Sequence, residues 1–222
     1  SGNLAHEINQ PLTTIGTYAR TVLRRQESGN LTPAAITEAS TEIAREAERA
    51  GGIVQRIRHF ARKREATREA IRLADIAEDA RRLIVGMLAR APEVVIENRL
   101  KDGCQVLADG AQIQQVLLNL IKNAIDANRD LPADRQNLRI LIEPMDSRVA
   151  VHVIDQGVGL SAEQLPHLFE PFFTTKPDGL GLGLPICKTI IEAHGGRLWA
   201  EPNQDSPGMR FSFSLPCHEL SA

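Results

Sequence analysis

The segment 178–185 places three glycines at alternate positions. They are Gly179, Gly181 and Gly183. Glycine costs backbone entropy inside a strand or helix, so this spacing indicates a loop whose backbone approaches a ligand closely. Residues 185–194 predict a helix with proline in its first turn and an end at Gly195–Gly196. Free N–H groups and the helix dipole at that N-terminus favour phosphate, although the repeat alone is equally compatible with a simple turn.

Composition excludes several classes of protein. The chain has 222 residues, enough for one large or two small domains, and 42% of them are hydrophobic. A formal net charge of −2 gives no general basic field for nucleic acid, and no apolar run approaches the ~20 residues of a membrane span. Three cysteines far apart in the sequence argue against a disulfide framework and suit a reducing compartment. We therefore expect a cytoplasmic location, without contact of this chain to nucleic acid or membrane.

Residues 1–66 predict a helical hairpin. Apolar residues alternate at spacings of three and four from Ala5 to Val22, which is typical of a coiled-coil-like helix. Residues 28–31 interrupt the pattern, and Thr32–Pro33 begins a second helix whose apolar residues recur every seven positions from Ile36. Two narrow stripes bury little surface, so we expect two copies to form a homodimeric four-helix bundle.

His6 and Glu7 fall off the predicted apolar seam, so His6 should face solvent. An exposed histidine is most often an ordinary surface residue. Here it has an acidic neighbour and precedes Pro11, and a proline inside a helix costs ~3 kcal/mol and implies a tolerated kink. A carboxylate that holds the proton of one ring nitrogen leaves the other free as a nucleophile.

Residues 67–222 predict a second domain that mixes helices and strands. Helices are expected at 76–88, from Asp109 onward with an apolar row from Ile113 to Ala127, and over 161–168. Strands are expected at 94–100, 104–108, 138–143 and 149–154, and a final hairpin at 197–201 and 209–215.

Several polar residues in this domain have two interpretations, an ordinary structural role or a role in ligand binding. Asn119 and Asn123 share one helical face, where they are either solvated amides or oxygen ligands for Mg²⁺. Asp155, with Gly157 and Gly159 after it, forms either a tight turn or a site where a carboxylate accepts a hydrogen bond from adenine. The phenylalanines of 169–173 could attach a mobile lid, whose only cation before Gly183, Lys176, is the candidate partner of a terminal phosphate.

These elements in this order resemble the transmitter region of two-component sensor histidine kinases, over nearly the whole chain. The segments 4–12, 119–124, 155–159, 169–173 and 179–183 resemble the phospho-acceptor box, the N box, the first glycine box, the F box and the second glycine box. The resemblance implies an α+β chain: a hairpin that forms a dimeric four-helix bundle over 1–66, then an ATP-binding α/β sandwich of the gyrase/Hsp90/histidine-kinase type over 67–222. Its mixed sheet would carry helices on one face.

The resemblance also implies residue roles. His6 would attack the γ-phosphate of ATP, Glu7 would orient or deprotonate it, and Asn123 would bind Mg²⁺ beside Asn119. The phosphoryl group would pass to an aspartate on a response-regulator receiver domain, and an upstream sensor domain is expected outside this sequence, with any membrane anchor. The ATP-binding set is Asn119, Asn123, Asp155, Gly157, Gly159, Thr175, Lys176, Gly179, Gly181, Leu182 and Gly183.

Departures from the family pattern leave two questions open. Many relatives carry Thr or Asn four residues after the phospho-acceptor histidine, where this chain has Gln10 beside Asn9, so these two are the candidates for a phosphatase function. Asp126 replaces a lysine of many relatives, which puts weight on Lys176. The phospho-acceptor segment resembles the subgroup of oxygen-sensing and dicarboxylate-sensing kinases. The alternatives are a gyrase/Hsp90-type ATPase, disfavoured because Asn119 is a poor base, and a non-catalytic dimeric scaffold that binds nucleotide.

Overall fold

The computed structural model describes residues 2–61, 67–88, 91–101, 103–176, 181–204 and 206–218, with backbone alone for 2–8 and 52–61. The chain divides into two compact units. One comprises Ser1–Lys63 with Thr174–Leu180, and the other comprises Arg64–Phe173 with Gly181–Ala222. In the described part of the chain, no helix is both long enough and apolar enough to cross a membrane.

The first unit is built on the predicted helical hairpin. Helix α1 spans Gly2–Glu27 and continues through Pro11, and helix α2 spans Pro33–Ala61. Thr32 precedes α2, and its Oγ1 accepts a hydrogen bond from the Ala35 N–H at 3.2 Å. This bond satisfies one of the N–H groups that a helix start leaves without a partner, so the predicted N-cap is confirmed.

The buried side of α2 is offset by one residue from the predicted apolar row. Ala35, Ala39 and Glu46 are buried, whereas Ile36 is 44% exposed. On α1, Leu12 is 52% exposed although it lies on the predicted seam. Within the described hairpin, each helix packs against one other helix, so part of each apolar stripe stays accessible.

The second unit alternates strands and helices. Its strands are β1 (Glu69–Ile71), β2 (Val94–Asn98), β3 (Gln105–Ala108), β4 (Leu138–Met145), β5 (Arg148–Ile154), β6 (Arg197–Pro202) and β7 (Met209–His218). Its helices are α3 (Leu73–Met87), α4 (Gly110–Asn128) and α5 (Gly183–Ala193). The predicted strands and the three predicted long helices are confirmed with small shifts of their ends, and the short strand β1 was not predicted.

The strands form one mixed sheet in the order β1-β3-β7-β5-β4-β2, with β6 paired to β7. Strands β2 and β4 are parallel, in the register Val94↔Leu138, and the other pairs are antiparallel. The C-terminal strand β7 contacts β3, β5 and β6, so it lies inside the sheet. The last strand of the chain therefore completes the centre of this unit.

Three helices cover one face of this sheet, as expected. Helix α4 packs between α3 and α5 and against β4 and β5. Its apolar row is fully buried, with Ile113, Leu117 and Leu120 at 0% exposure. Ala127, predicted as the end of that row, is exposed instead, whereas Asn128 beside it is buried.

The predicted helix over 161–168 is wrong in extent. The structure has turns and a single 3₁₀ segment, Leu165–His167. Part of the predicted capping interaction nevertheless forms, because Gln164 Oε1 accepts a hydrogen bond from the Ser161 N–H at 2.9 Å. This bond is one half of a capping box, and the Gln164 N–H donates to the Ser161 carbonyl instead of to its hydroxyl group, so the local signal makes a turn but not a longer helix.

Asp109 offers a test of how α4 begins. Its Oδ1 accepts from the Gln112 N–H at 3.2 Å, so Asp109→Ala should lower the free energy of unfolding by about 1 kcal/mol. Asp109→Asn is the matched control, because asparagine caps a helix comparably and should leave stability within a few tenths of a kcal/mol. Urea unfolding followed by circular dichroism measures both, and equal losses in the two variants would contradict the cap.

Candidate functional site

One face of α4 carries the polar residues of the candidate site. Asn119, Asn123 and Ala127 lie four residues apart, so they align along a single stripe. Both asparagines are half-buried, and Ala127 is exposed. At 1.5 Å of rise per residue, the stripe is about 12 Å long.

Gly183, the first residue of α5, lies against the Asn119 end of this stripe. A Cβ at position 183 would lie 2.8 Å from both Oδ1 and Nδ2 of Asn119, closer than such contacts occur. Asn119 Nδ2 also donates to Cys187 Sγ at 3.1 Å, one turn further along α5. Burial raises the pKa of the Cys187 thiol to about 12, so its sulfur stays protonated and uncharged in this contact.

Gly157 lies against the other end of the stripe. A Cβ at position 157 would lie 2.7 Å from the carbonyl oxygen of Ala127 and 2.9 Å from its Cβ. The glycine therefore lets the chain after β5 pass directly over the last turns of α4. Asn123 lies midway between the two glycine contacts, so α4 connects both glycine segments that the sequence singled out.

Asp155 directly follows β5 and is 1% exposed. Its Oδ1 accepts hydrogen bonds from the N–H groups of Gly157 at 2.9 Å and Met209 at 3.1 Å. Burial raises the pKa of this carboxyl, and the two backbone hydrogen bonds partly oppose that rise. Both hydrogen bonds found in the described part of the chain use Oδ1, so the carboxyl group is held in one orientation.

Two asparagines that the sequence analysis missed hold the backbone around Asp155. Asn128 is buried, and its Oδ1 accepts from the Gln156 N–H at 3.0 Å. Asn203 Nδ2 donates to the Asp155 carbonyl at 2.8 Å. Asn128 ends a helix and Asn203 lies in a turn rich in proline and glycine, and both are common places for asparagine. No feature of the sequence marks either as part of a site.

The F-box segment contacts the second glycine segment. Gly181 has φ +60°, and a Cβ there would lie 2.6 Å from the Phe173 nitrogen. The Phe172 N–H donates to the Gly181 carbonyl at 3.0 Å. Phe172 itself has φ +71°, a conformation that non-glycine residues seldom adopt. The phenylalanine segment thus contacts the chain just before α5, and the attachment of a mobile lid stays a prediction.

The other predicted binding residues have varied surroundings. Leu182 is buried at the N-cap of α5, and Gly159 is half-buried with φ +74°. Thr175 and Lys176 are exposed, and the Lys176 N–H donates to Thr174 Oγ1 at 3.1 Å. Gly179 lies outside the described residues. The part that each of these takes in binding stays a prediction.

The helical unit carries the predicted phospho-acceptor. His6 and Glu7 belong to α1, and their side chains lie outside the described part of the chain. Asn9 and Gln10 are exposed and line a groove of about 550 Å³ together with Glu46 of α2. The two residues considered for phosphatase activity therefore face a concave surface of the hairpin.

Known protein families match the helical part and the mixed α/β part of the chain separately. Residues 1–66 match the His Kinase A (phospho-acceptor) domain, and residues 108–219 match the family described as histidine kinase-, DNA gyrase B-, and HSP90-like ATPase. The chain belongs to the sensor histidine kinases. It comprises the transmitter core of this two-component family, in which a phospho-acceptor domain precedes an ATPase domain.

Individual relatives agree with this assignment. The sensor protein FixL of Bradyrhizobium diazoefficiens is 41% identical over 218 residues, which is 96% of this chain and 42% of FixL. The C4-dicarboxylate transport sensor protein DctS of Rhodobacter capsulatus is 35% identical over the whole chain and 34% of its own length. The chain thus spans less than half the length of these curated relatives.

Solved structures of histidine kinases share the fold. The histidine kinase ThkA, crystallised in complex with the response regulator protein TrrA, matches 97% of this chain and 60% of its own with a TM-score of 0.76 and 29% identity. The Acinetobacter baumannii histidine kinase AdeS matches 96% of this chain and 98% of its own with a TM-score of 0.70. AdeS is 24% identical, so that likeness shows the fold alone.

Gly157→Ala tests the contact at the end of α4. Because the added Cβ would lie 2.7 Å from the Ala127 carbonyl, we expect a loss of about 1–3 kcal/mol in the free energy of unfolding. Gly86→Ala in α3 is the control, since nothing lies within 4 Å of its Cβ position, and it should gain about 0.4–1 kcal/mol. A Gly157→Ala protein as stable as wild type in urea would contradict the close contact.

Proposed function

We propose that this chain uses Mg-ATP to phosphorylate His6 and then transfers the phosphoryl group to an aspartate of a response-regulator receiver domain. The observation that carries this proposal is the stripe Asn119–Asn123–Ala127 on α4. It joins the Asp155–Gly157 segment at one end to the start of α5 at the other. A ligand with a purine at one end and phosphates at the other matches these two ends chemically. We place the boundary between the two functional domains at residues 66/67.

Asp155 would recognise the base. Its Oδ1 is engaged by two backbone N–H groups, so Oδ2 is the acceptor left for the exocyclic amine of adenine. The position is 1% exposed in the protein, which makes a hydrogen bond to the carboxyl group strong in the low local dielectric. The backbone around Gly157 and Gly159 would lie beside the ring.

The phosphate end would form where α5 begins. Gly181, Leu182 and Gly183 precede or start this helix, and the Ile186 N–H donates to the Leu182 carbonyl, so earlier N–H groups have no helical acceptor. Such groups, with the helix dipole, attract the phosphate oxygens. From the family resemblance we also assign Lys176, Thr175 and Gly179 to phosphate binding.

The residues present fit a Mg²⁺ ion that would be held partly by this chain and partly by the phosphates of the substrate. In the described part of the chain, no cluster of three or more His, Cys, Asp or Glu side chains could hold a metal alone. Mg²⁺ typically takes one or two protein oxygens and completes its shell with water and phosphate, which suits the amide oxygens of Asn123 and Asn119. When bound, Mg²⁺ would neutralise charge on the phosphates during transfer.

In the transfer step, a nitrogen of His6 would form a bond to the γ-phosphorus while the bond to the β–γ bridging oxygen breaks. Glu7 would hold or accept the proton of the other ring nitrogen, which keeps the attacking nitrogen neutral and nucleophilic. Positioning and charge neutralisation supply most of the rate enhancement in such transfers. ADP would leave carrying the former bridging oxygen.

We infer two partners from the helical unit, a receiver domain and a second copy of this chain. ThkA was crystallised with the response regulator protein TrrA, and we propose that this chain likewise engages a receiver domain through its hairpin. Asn9 and Gln10 in the groove beside Glu46 are the candidates for contacting the receiver's phosphorylated aspartate. We also propose a homodimer, because Leu12 and Ile36 leave 52% and 44% of their surface exposed on the predicted seam.

Asp155→Asn tests recognition of the base. The amide keeps an oxygen for the two backbone donors but presents an N–H₂ group to adenine, so ATP affinity should fall about 10–100-fold. Calorimetric titration with a non-hydrolysable ATP analogue measures the affinity. GTP, whose ring carries a carbonyl at that position, should gain relative to ATP, and an unchanged ATP affinity would exclude this role.

The same variant has a pH signature without ligand. Burial raises the pKa of Asp155 in the folded protein, so the carboxyl stabilises the fold below its unfolded pKa and loses that contribution as pH rises through the folded value. Asp155→Asn cannot ionise. Its urea stability should therefore increase relative to wild type as pH rises over this window, and a constant difference would contradict the buried, ionisable carboxyl.

His6→Ala tests the phospho-acceptor. Incubation with γ-labelled Mg-ATP should give wild type an acid-labile, base-stable label and leave the variant unlabelled, with ATP affinity unchanged. His218→Ala is the matched control, an exposed histidine at the end of β7, and it should label like wild type. Label that persists on His6→Ala would exclude His6, and steady ATP hydrolysis without any phosphoprotein would favour the ATPase alternative.

A further inference from the structure

The sheet brings two cysteines together that the sequence separates widely. The sulfur atoms of Cys104 and Cys217 lie 3.4 Å apart, across 113 positions of the chain. Both side chains are half-buried thiols at the edge of the hydrophobic core. This contact belongs to neither the nucleotide site nor the phospho-acceptor helix, and the proposed function makes no use of it.

Strand pairing creates the contact. Strands β3 and β7 run antiparallel in the register Gln105↔His218 and Val106↔Cys217. Cys104 directly precedes β3 and lies two residues before Val106, the residue opposite Cys217, so it is a diagonal neighbour of Cys217. The pairing of β3 with β7 therefore brings the two cysteines together.

The two sulfurs are close to bonding distance. A disulfide bond is about 2.05 Å long, so they need to approach by about 1.4 Å, through side-chain rotation and a small backbone shift. Gly103, just before Cys104, has φ +87° and nothing within 4 Å of its Cβ position, so the chain there has room to adjust. On the other side, the Cys217 N–H is anchored to the Ser147 carbonyl at 3.0 Å.

We propose that Cys104 and Cys217 form a reversible oxidation site, a dithiol that peroxide converts to an intramolecular disulfide between β3 and β7. One thiolate attacks a peroxide oxygen, the O–O bond breaks, and a sulfenic acid and one water result. The second thiolate attacks the sulfenic sulfur, forms the S–S bond and releases the second water. Two thiols and one hydrogen peroxide thus give one disulfide and two waters.

Cys187 shows why the pair is selective. It is 1% exposed, donates or accepts only within the core beside Asn119 and Val116, and burial raises the pKa of its thiol to about 12. The thiolate is the reactive species, so this cysteine is protected from both peroxide and exchange. The chain therefore carries an internal control, one inert thiol beside two exposed enough to react.

The disulfide would staple the strand that leads into α4 to the strand that ends the domain. Closing a loop of more than 100 residues restricts the unfolded chain strongly, so the midpoint of thermal unfolding should rise by about 5–15 °C on oxidation. Met209, which contacts Asp155, lies eight residues from Cys217, about 26 Å along β7. Nucleotide affinity should therefore change less than about twofold.

The test oxidises the reduced 222-residue chain with hydrogen peroxide, and separately with glutathione disulfide, then blocks remaining thiols and digests the protein. Wild type should yield one linked peptide pair containing Cys104 and Cys217, two mass units lighter than the reduced pair, and Cys187 should be recovered blocked only after denaturation. Dithiothreitol should restore the dithiol, and non-reducing gels should show no covalent dimer.

Cys104→Ser and Cys217→Ser are the matched variants, since each keeps one reactive thiol and the buried Cys187. Neither should show the thermal shift that oxidation gives wild type. Comparing wild type with and without dithiothreitol keeps the test valid even if a variant folds poorly. Over-oxidised single thiols, covalent dimers as the main product, or a wild-type midpoint that oxidation leaves unchanged would each overturn the proposal.

Discussion

The candidate site depends on two places where the chain cannot carry a side chain. At Gly157 and Gly183 a Cβ would lie within 3 Å of α4 atoms, the first against Ala127 and the second against Asn119. Protein interiors are close-packed, so these contacts fix the distance of both loops from the helix. The helical stripe between them therefore sets a separation of about 12 Å between the two loops, with Asn123 at its middle.

Asp155 illustrates how a buried carboxylate is kept in a useful orientation. Burial disfavours its charge and raises its pKa, a cost that the fold carries in the absence of ligand. Two backbone N–H groups on one oxygen offset part of that cost and leave the second oxygen directed elsewhere. Asn128 and Asn203 hold the adjacent backbone, so the site relies on polar groups spread over three separate segments.

The C-terminal strand β7 connects several parts of the domain. Strand β7 pairs with β3, β5 and β6, donates from Met209 to Asp155 at one end and places Cys217 beside Cys104 at the other. The proposed base-recognition site and the cysteine pair therefore both depend on β7. The helical unit contrasts with this arrangement, because its contacts are local and its apolar stripes stay partly exposed in one chain.

The sequence by itself determined the order of the elements, the caps and the family. Periodicity predicts α4, Thr32 and Asp109 mark helix starts, and five short segments in order indicate a sensor histidine kinase. These features are local, since they depend on residues within one or two turns of each other. The same local logic predicted a helix at 161–168, where the structure has only a 3₁₀ turn.

Only the tertiary structure decided what the glycines contact, which asparagines support Asp155 and that two distant cysteines meet. Each of these results from pairing between segments tens to more than a hundred residues apart. The wide spacing of the cysteines argues against a disulfide framework, yet the pairing of β3 with β7 brings two sulfurs to 3.4 Å. Spacing along the chain reports local geometry, whereas strand register and helix packing set which side chains touch.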